Sequence, residues 1–232
     1  MTTFQIKCIA IITMIIDHIG LFFFPHILLF RIIGRLAFPL FAWQIANGAY
    51  YTKNIEKYLS RLLLLALIAQ IPFTLANQQI GSPPLYTNVV FTLFLGLYCI
   101  HILKKADNVW TFATVLIASC LLAITLNTDY GVAGIFSVIF FYLFLHNKKM
   151  MLISQAFILV VIPYLVLLAE RTLLTNLSWI YMDSTLEVWG LISIGLIFLY
   201  HNRKGFDTKY LLYIVYPLQY VVIYLVKVFA VL

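Results

Sequence analysis

The chain has 232 residues, 64% of them hydrophobic and 10% charged, with a formal net charge of +7. Soluble domains carry about 25% charged residues, so the composition excludes an ordinary soluble enzyme. It predicts a single all-α domain over 1–232, a polytopic membrane helix bundle. The positive balance does not read as nucleic-acid binding, because the chain has no room for such a domain and cytoplasmic loops of membrane proteins carry extra Lys and Arg.

Nine apolar runs are predicted as transmembrane helices: 6–24, 30–50, 58–76, 88–103, 110–126, 131–146, 150–168, 186–200 and 210–230. A crossing takes about 20 residues, and runs this uniformly apolar do not suit alternating barrel strands. The fifth and sixth runs are divided only by Asn127 to Tyr130. The first run has charge at its centre and no small-residue cleavage site, so it reads as a permanent helix rather than a signal peptide.

That first run holds MIIDHIG, Met14 to Gly20, with Asp17 and His18 in mid-span. Ionisable groups at such depth are expensive and usually kept for a task. The second run opens RIIGRLAFPLF, with Arg31 and Arg35 four apart and so on one helical face. At ~1.5 Å per residue, Asp17 and His18 lie ~17 Å along the first helix, past the middle of a ~30 Å core. The pair and the two arginines are therefore placed to meet in the outer half of one helical hairpin. The alternative is snorkelling plus a structural Asp–Arg pair. Lys7 precedes His18 by almost three full turns, so both project from one face, with Ile11 and Met14 between them.

Most of the 15 basic residues then fall on one side: Lys7, Lys53, Lys57, Arg61, Lys104, Lys105, Lys148, Lys149, Arg203, Lys204 and Lys209. The positive-inside bias predicts a cytoplasmic N-terminus, an outward C-terminus and an odd number of spans. Arg31, Arg35, Arg171 and Lys227 are the exceptions. Pro39, Pro72, Pro163 and Pro217 fall inside runs, where proline kinks helices and frees carbonyls.

Asn88 and Thr92 share a face at the outer end of the fourth run, and Asp129 and Tyr130 open the sixth. Asp183 and Glu187 share a face at the start of the eighth. These groups line an outer vestibule or are solvated helix starts favoured by the macrodipole. His26, His101, His146 and His201 sit at run ends, where an interfacial role is the default. Cys8, Cys99 and Cys120 lack CxxC spacing and read as small buried hydrophobes, with no disulfide framework and no metal site expected.

The chemistry available is that of one buried imidazole. Histidine suits general-base work because its ordinary pKa, about 6.5, lies near neutrality. Asp17 can stabilise an imidazolium, although adjacent helical side chains point about 100° apart, so it does not automatically clamp the His18 ring. Arg31 or Arg35 can offset charge on an oxyanion.

The segments IKCIAIITMIIDHIG, RIIGRLAFPLFAWQIANGAYYTKN, YLSRLLLLALIAQIPF, NVVFTLFLGL and DYGVAG stand in one order along the chain. In this the chain resembles the TraX family, conjugal-transfer membrane proteins linked to N-terminal acetylation of pilin. More distantly it looks like membrane acyltransferases with a basic residue ahead of a first-helix His, a spacing that Lys7 and His18 match. The resemblance implies transfer of acetyl from cytoplasmic acetyl-CoA, without a metal, to a pilin-like or envelope acceptor outside a bacterial cytoplasmic (inner) membrane. His18 would be general base or acyl carrier, with Asp17, Arg31 and Arg35 around the reacting centre. Lys7, Lys53, Lys57 and Arg61 would receive CoA phosphates, and Asn88, Thr92, Asp129 and Tyr130 would face the acceptor. One departure is visible: the last run reads YIVYPLQY, with Gln219 where relatives often carry His. Competing readings are O-acetylation of an envelope glycan at the same site, a proton-coupled transporter and a structural membrane subunit.

Overall fold

The computed structural model describes residues 1–83, 85–173, 186–206 and 210–230. Eleven α-helices follow in order: α1 Thr3–Phe23, α2 Leu28–Gly34, α3 Ala37–Tyr51, α4 Ile55–Gln78, α5 Val89–Lys105, α6 Val109–Thr125, α7 Gly131–Leu143, α8 Lys148–Ala156, α9 Ile162–Leu173, α10 Ile192–Phe198 and α11 Leu211–Ala230. A π-helical stretch, Phe157–Val161, joins α8 to α9, and a 3-10 turn, Glu187–Leu191, leads into α10. The described residues contain no strand, only an isolated bridge between Thr87 and Thr128.

Every predicted run is helical, and five stretches are long and apolar enough to cross a membrane: Thr3–Phe23, Leu28–Tyr51, Ile55–Gln78, Lys148–Leu168 and Leu211–Phe229. Val109–Thr125, Gly131–Leu143 and Glu187–Phe198 are apolar but shorter.

Two runs are internally broken, both four residues ahead of a proline. A proline at position i cannot donate to the carbonyl of i−4 and clashes with it. Pro39 therefore frees the Arg35 carbonyl, and the second run divides there into α2 and α3. Pro163 frees the Leu159 carbonyl, and the chain passes through its π-helical stretch at that point. Pro39 and Pro163 thus occupy first turns, where proline is tolerated, while Pro72 and Pro217 lie inside α4 and α11.

The first hairpin closes on two glycines. A Cβ at Gly20 would run into Phe30, and one at Gly34 into the Asp17 side chain. Without them α1 and α2 could not lie so close. α3 is the most buried helix, presenting Leu40, Trp43 and Ala46 to its neighbours.

The two ends of the bundle differ chemically. At one, the Met1 ammonium donates to the Leu199 carbonyl and Thr3 N to Arg203 O at 2.9 Å. Tyr51 donates to Asn202 at 3.0 Å, Lys104 Nζ to Ala49 O at 2.6 Å and Lys148 Nζ to Phe198 O at 3.2 Å. The N-terminus and the segments after α3, α5, α7 and α10 therefore share one end, as the basic residues predicted. Lys209 and the side chain of Arg171 lie outside the described residues. α11 runs parallel to α1, since Gln219, Tyr220 and Lys227 meet Met14, His18 and Phe23 in that order.

At the other end, the Thr87–Thr128 bridge ties the segment before α5 to the turn before α7, with Asp129 N on Thr87 O at 3.0 Å. That turn holds two residues in the left-handed region, Asn127 (φ 47°) and Tyr130 (φ 63°). Such φ is uncommon outside glycine, least so for Asn.

Candidate functional site

The hairpin, the 126–130 turn and the 3-10 turn converge on Arg35. Its Nη1 donates to Glu187 Oε1 at 2.7 Å, and its Nη2 reaches Asp17 Oδ1 at 3.2 Å and Oδ2 at 3.3 Å. Arg31 Nη1 lies 2.8 Å from Asp17 Oδ2. Both arginines are buried, and Glu187 is 1% exposed. Removing one partner from such a buried network leaves an uncompensated charge, at about 3–5 kcal/mol.

The kink at Arg35 contributes to this arrangement. It places the guanidinium where Glu187 arrives from a distant segment, while Gly190 of the same 3-10 turn packs against the freed Arg35 carbonyl, 3.2 Å from where its own Cβ would stand. Arg35 Nη1 also reaches the Tyr130 hydroxyl at 3.4 Å. The Tyr130 ring stacks on Phe38, with centroids 3.7 Å apart and planes 9° from parallel.

His18 points elsewhere, as the angle between adjacent helical side chains requires. Its Nε2 meets the Tyr220 hydroxyl at 2.9 Å, and its Nδ1 is buried without a hydrogen-bond partner among the described residues. One Glu187 oxygen, Oε2, is in the same condition. Asp17, His18, Arg31, Arg35, Asp129, Tyr130, Glu187, Tyr86 and Tyr220 line a cavity of about 50 Å³, completed by Leu21, Phe73 and Asn77. Burial pushes the Asp129 carboxyl up, against the opposing pull of the Arg35 guanidinium and the Tyr86 hydroxyl. The arrangement combines an imidazole held at one nitrogen, two arginines and three carboxylates around a small polar space.

Of the residues expected to face an acceptor, Asp129 and Tyr130 line this cavity and the other two do not. Asn88 caps α5 and spends its amide on Ala66 O at 2.9 Å and Gln70 Oε1 at 2.8 Å. The Thr92 hydroxyl donates to the Asp129 carbonyl. Asn88 is thus consumed in tying α5 to α4, and Thr92 in holding the turn. Asp183 lies outside the described residues.

A second cavity, of about 220 Å³, lies on the basic side of the molecule. Thr3, Lys7, Arg61, Gln44, Asn47, Tyr58 and Tyr213 supply its polar lining. It brings together two of the four cations expected to bind CoA; Lys53 and Lys57 are exposed and stand apart from it. The two cavities share no lining residue. Ile11 and Met14, both buried, fill the stripe between Lys7 and His18, with Gln219 Nε2 3.6 Å from Met14 Sδ.

Residues 3–227 match the TraX family, described as TraX protein. The chain belongs to the TraX family. A relative named probable fimbrial assembly protein FimC, from Dichelobacter nodosus, is 31% identical over 98% of this chain and 96% of its own length. An uncharacterized protein of Rickettsia prowazekii is 30% identical over 62% of this chain and 56% of its own. Protein TraX of Escherichia coli is 29% identical over 56% of this chain and 51% of its own. No solved structure matches. The TraX segments DHIG and RIIGR owe part of their spelling to geometry here: each contains the glycine that lets the hairpin close on the Asp17–Arg pairs.

Sequence reasoning left one member of this TraX site open, Glu187, and missed two, Tyr220 and Tyr86. Glu187 was visible as an acidic residue opening a run, but nothing local distinguishes a buried partner of Arg35 from a solvated helix start. Tyr220 lies next to Gln219, where attention fell on the missing His, and it is the tyrosine that meets His18. Tyr86 carried no signal beyond its place after Pro83 and Pro84.

Proposed function

We propose that this chain is an integral-membrane acetyltransferase of the bacterial cytoplasmic membrane. It moves acetyl from cytoplasmic acetyl-CoA to an acceptor amine at the outer face, most simply the N-terminus of a pilin subunit. The observation that carries this reading is the His18 imidazole, fixed at Nε2 by Tyr220 and left at Nδ1, in a polar cavity among groups of both charges. Membership of the TraX family supports the link to pilus assembly, and so does a relative named for fimbrial assembly.

In the proposed reaction the acceptor amine attacks the thioester carbonyl. His18 Nδ1 takes the amine proton, the C–S bond breaks, and the proton leaves with the CoA thiolate. Net products are the N-acetyl amine and free CoA. A pilin α-amine, with an ordinary pKa of about 7.7–8.0, is readily deprotonated near neutrality. Glu187 Oε2 is suited to receive the incoming ammonium before it loses its proton. Arg31 and Arg35 are already paired with Asp17 and Glu187, so in this reading they hold the carboxylates in place around the reacting centre.

Donor phosphates are assigned to the cavity of Lys7 and Arg61 in this reading, with the N-terminus cytoplasmic and all nine predicted runs crossing. The thioester arm then has to displace Met14 and Gln219, since the stripe between the two cavities is packed shut.

The test is acetyl transfer from labelled acetyl-CoA in inverted membrane vesicles, comparing the native protein with His18→Ala and with Lys7→Ala at equal expression. The proposal expects label on a protein N-terminus, abolished by His18→Ala. It expects Lys7→Ala to raise the KM for acetyl-CoA with little change in kcat. Equal transfer by the His18 variant would refute the mechanism, and label on a glycan would replace the amine acceptor by a hydroxyl. pH-driven solute flux without CoA would replace the enzyme by a transporter.

A further inference from the structure

His18 stands on a seam. It lines the polar cavity and also an apolar groove of about 480 Å³ between α1 and α11. Ile15, Ile19 and Phe23 form one wall of the groove and Leu218, Val222 and Val226 the other. Gln219 and His18 are its polar members. Both helices are among those long and apolar enough to cross a membrane, so the groove faces hydrocarbon when the protein is in a bilayer.

Its size selects the occupant. A helix about 10 Å across takes up roughly 120 Å³ per residue, so the groove would accept only about four residues of one. A single hydrocarbon chain needs far less width than a helix. Charge then defines one end. Lys227, two turns beyond Gln219 on α11, holds its ammonium 5.5 Å from the centroid of Phe23, where the groove closes. Among the described residues no carboxylate lies within ion-pair distance of it. The positive-inside pattern assigns no role to this cation, and nothing in the proposed reaction uses it.

We infer that the α1/α11 groove is a binding site for one acyl chain of an anionic phospholipid. The phosphate sits at Lys227 and the chain descends toward His18. The lipid is then part of the wall of the polar cavity, covering the imidazole on the side where the protein leaves it to the bilayer. This assignment is independent of what reaction His18 performs.

The experiment uses the full-length protein in nanodiscs containing phosphatidylglycerol or phosphatidylcholine, each with the same photoactivatable diazirine in its acyl chain. Cross-linked peptides are mapped by mass spectrometry. The expected adducts fall on 15–24 and 215–226. Phosphatidylglycerol should give a roughly fivefold higher yield, the scale of attraction one lysine provides near an anionic headgroup. Lys227→Gln should reduce phosphatidylglycerol to the phosphatidylcholine level. Val222→Trp, at a half-exposed position, should remove groove adducts of both lipids while elution volume and helical content stay native. Adducts spread evenly over all lipid-facing helices would overturn the proposal. So would a headgroup preference that survives Lys227→Gln, or cross-links from the groove to a polypeptide partner.

Discussion

Each ionisable residue in the first two helices has its own partner set, and the sets differ in kind. Asp17 is held by two arginines, Arg35 by two carboxylates and a tyrosine, and the Nε2 of His18 by a phenol. Arg35→Met should therefore destabilise more than Glu187→Gln. The first strands Glu187 and leaves Asp17 with Arg31 as its remaining cation, whereas after the second Arg35 keeps Asp17 and a neutral amide oxygen still faces it. Thermal unfolding in detergent should show the larger drop in Tm for Arg35→Met, in line with about 3–5 kcal/mol for breaking a buried pair. Gly34→Ala is the steric counterpart. Its methyl would land on the Asp17 side chain, and overpacking of this kind costs about 1–3 kcal/mol. Gly195→Ala is the control, since nothing lies within 4 Å of a Cβ there. A Tm drop for Gly34→Ala no larger than for Gly195→Ala would mean that the hairpin is looser than described. At this scale the Asp17–Arg31–Arg35 meeting was legible, because helical spacing and hairpin geometry sufficed. Glu187 and Tyr220 were not, because their partners lie 152 and 202 residues away, and spacing within a helix carries no information over such separations.

Among the elements, proline position explains more than proline presence. The four prolines inside apolar runs were legible as kinks, but which kink matters depends on what the freed carbonyl and the displaced side chain meet. Pro39 breaks the second run at the residue that organises the site, and the released Arg35 carbonyl lies against Gly190. Pro39→Ala should let α2 and α3 join, turning the Arg35 guanidinium away from Glu187. The expected outcome is a fold that remains helical but melts at a lower temperature, since the buried Arg35–Glu187 pair is lost, with the proposed acetyl transfer reduced tenfold or more. Spin-label distances between 28 and 187 would register the straightening. Unchanged distances would show that the break has another cause. Residue 88 illustrates the converse. Asn88 and Thr92 do share a face, as helical spacing predicts, but the face is turned to Gln70 and the 126–130 turn, where both are used up as ties.

For the molecule as a whole, the all-helical class and the grouping of basic loops were legible from composition and the positions of Lys and Arg. The lengths of individual helices were less so, because short apolar runs do not state where a chain enters or leaves a bilayer. The two ends of the bundle make a direct prediction. With Cys8, Cys99 and Cys120 replaced by Ala, single cysteines at the exposed positions Asp107 and Gln79 should be labelled by an impermeant maleimide from opposite sides of the membrane. Asp107 should react only in inverted vesicles and Gln79 only in intact spheroplasts. Labelling of both from one side would overturn the proposed topology and, with it, the proposed separation of donor and acceptor.

The pairing of His18 with Tyr220 also has a consequence for how the protein is made. A ribosome adds about 5–20 residues per second, so the 202 residues between these partners take roughly 10–40 s to appear. Asp17 has no such wait, because its two arginines follow within the same hairpin, 18 residues on at most. The nascent chain can thus neutralise its most costly membrane charge within a few seconds of synthesis, while the imidazole receives its phenol only from the last helix. A chain released early would carry a paired Asp17 and a His18 still without its phenol.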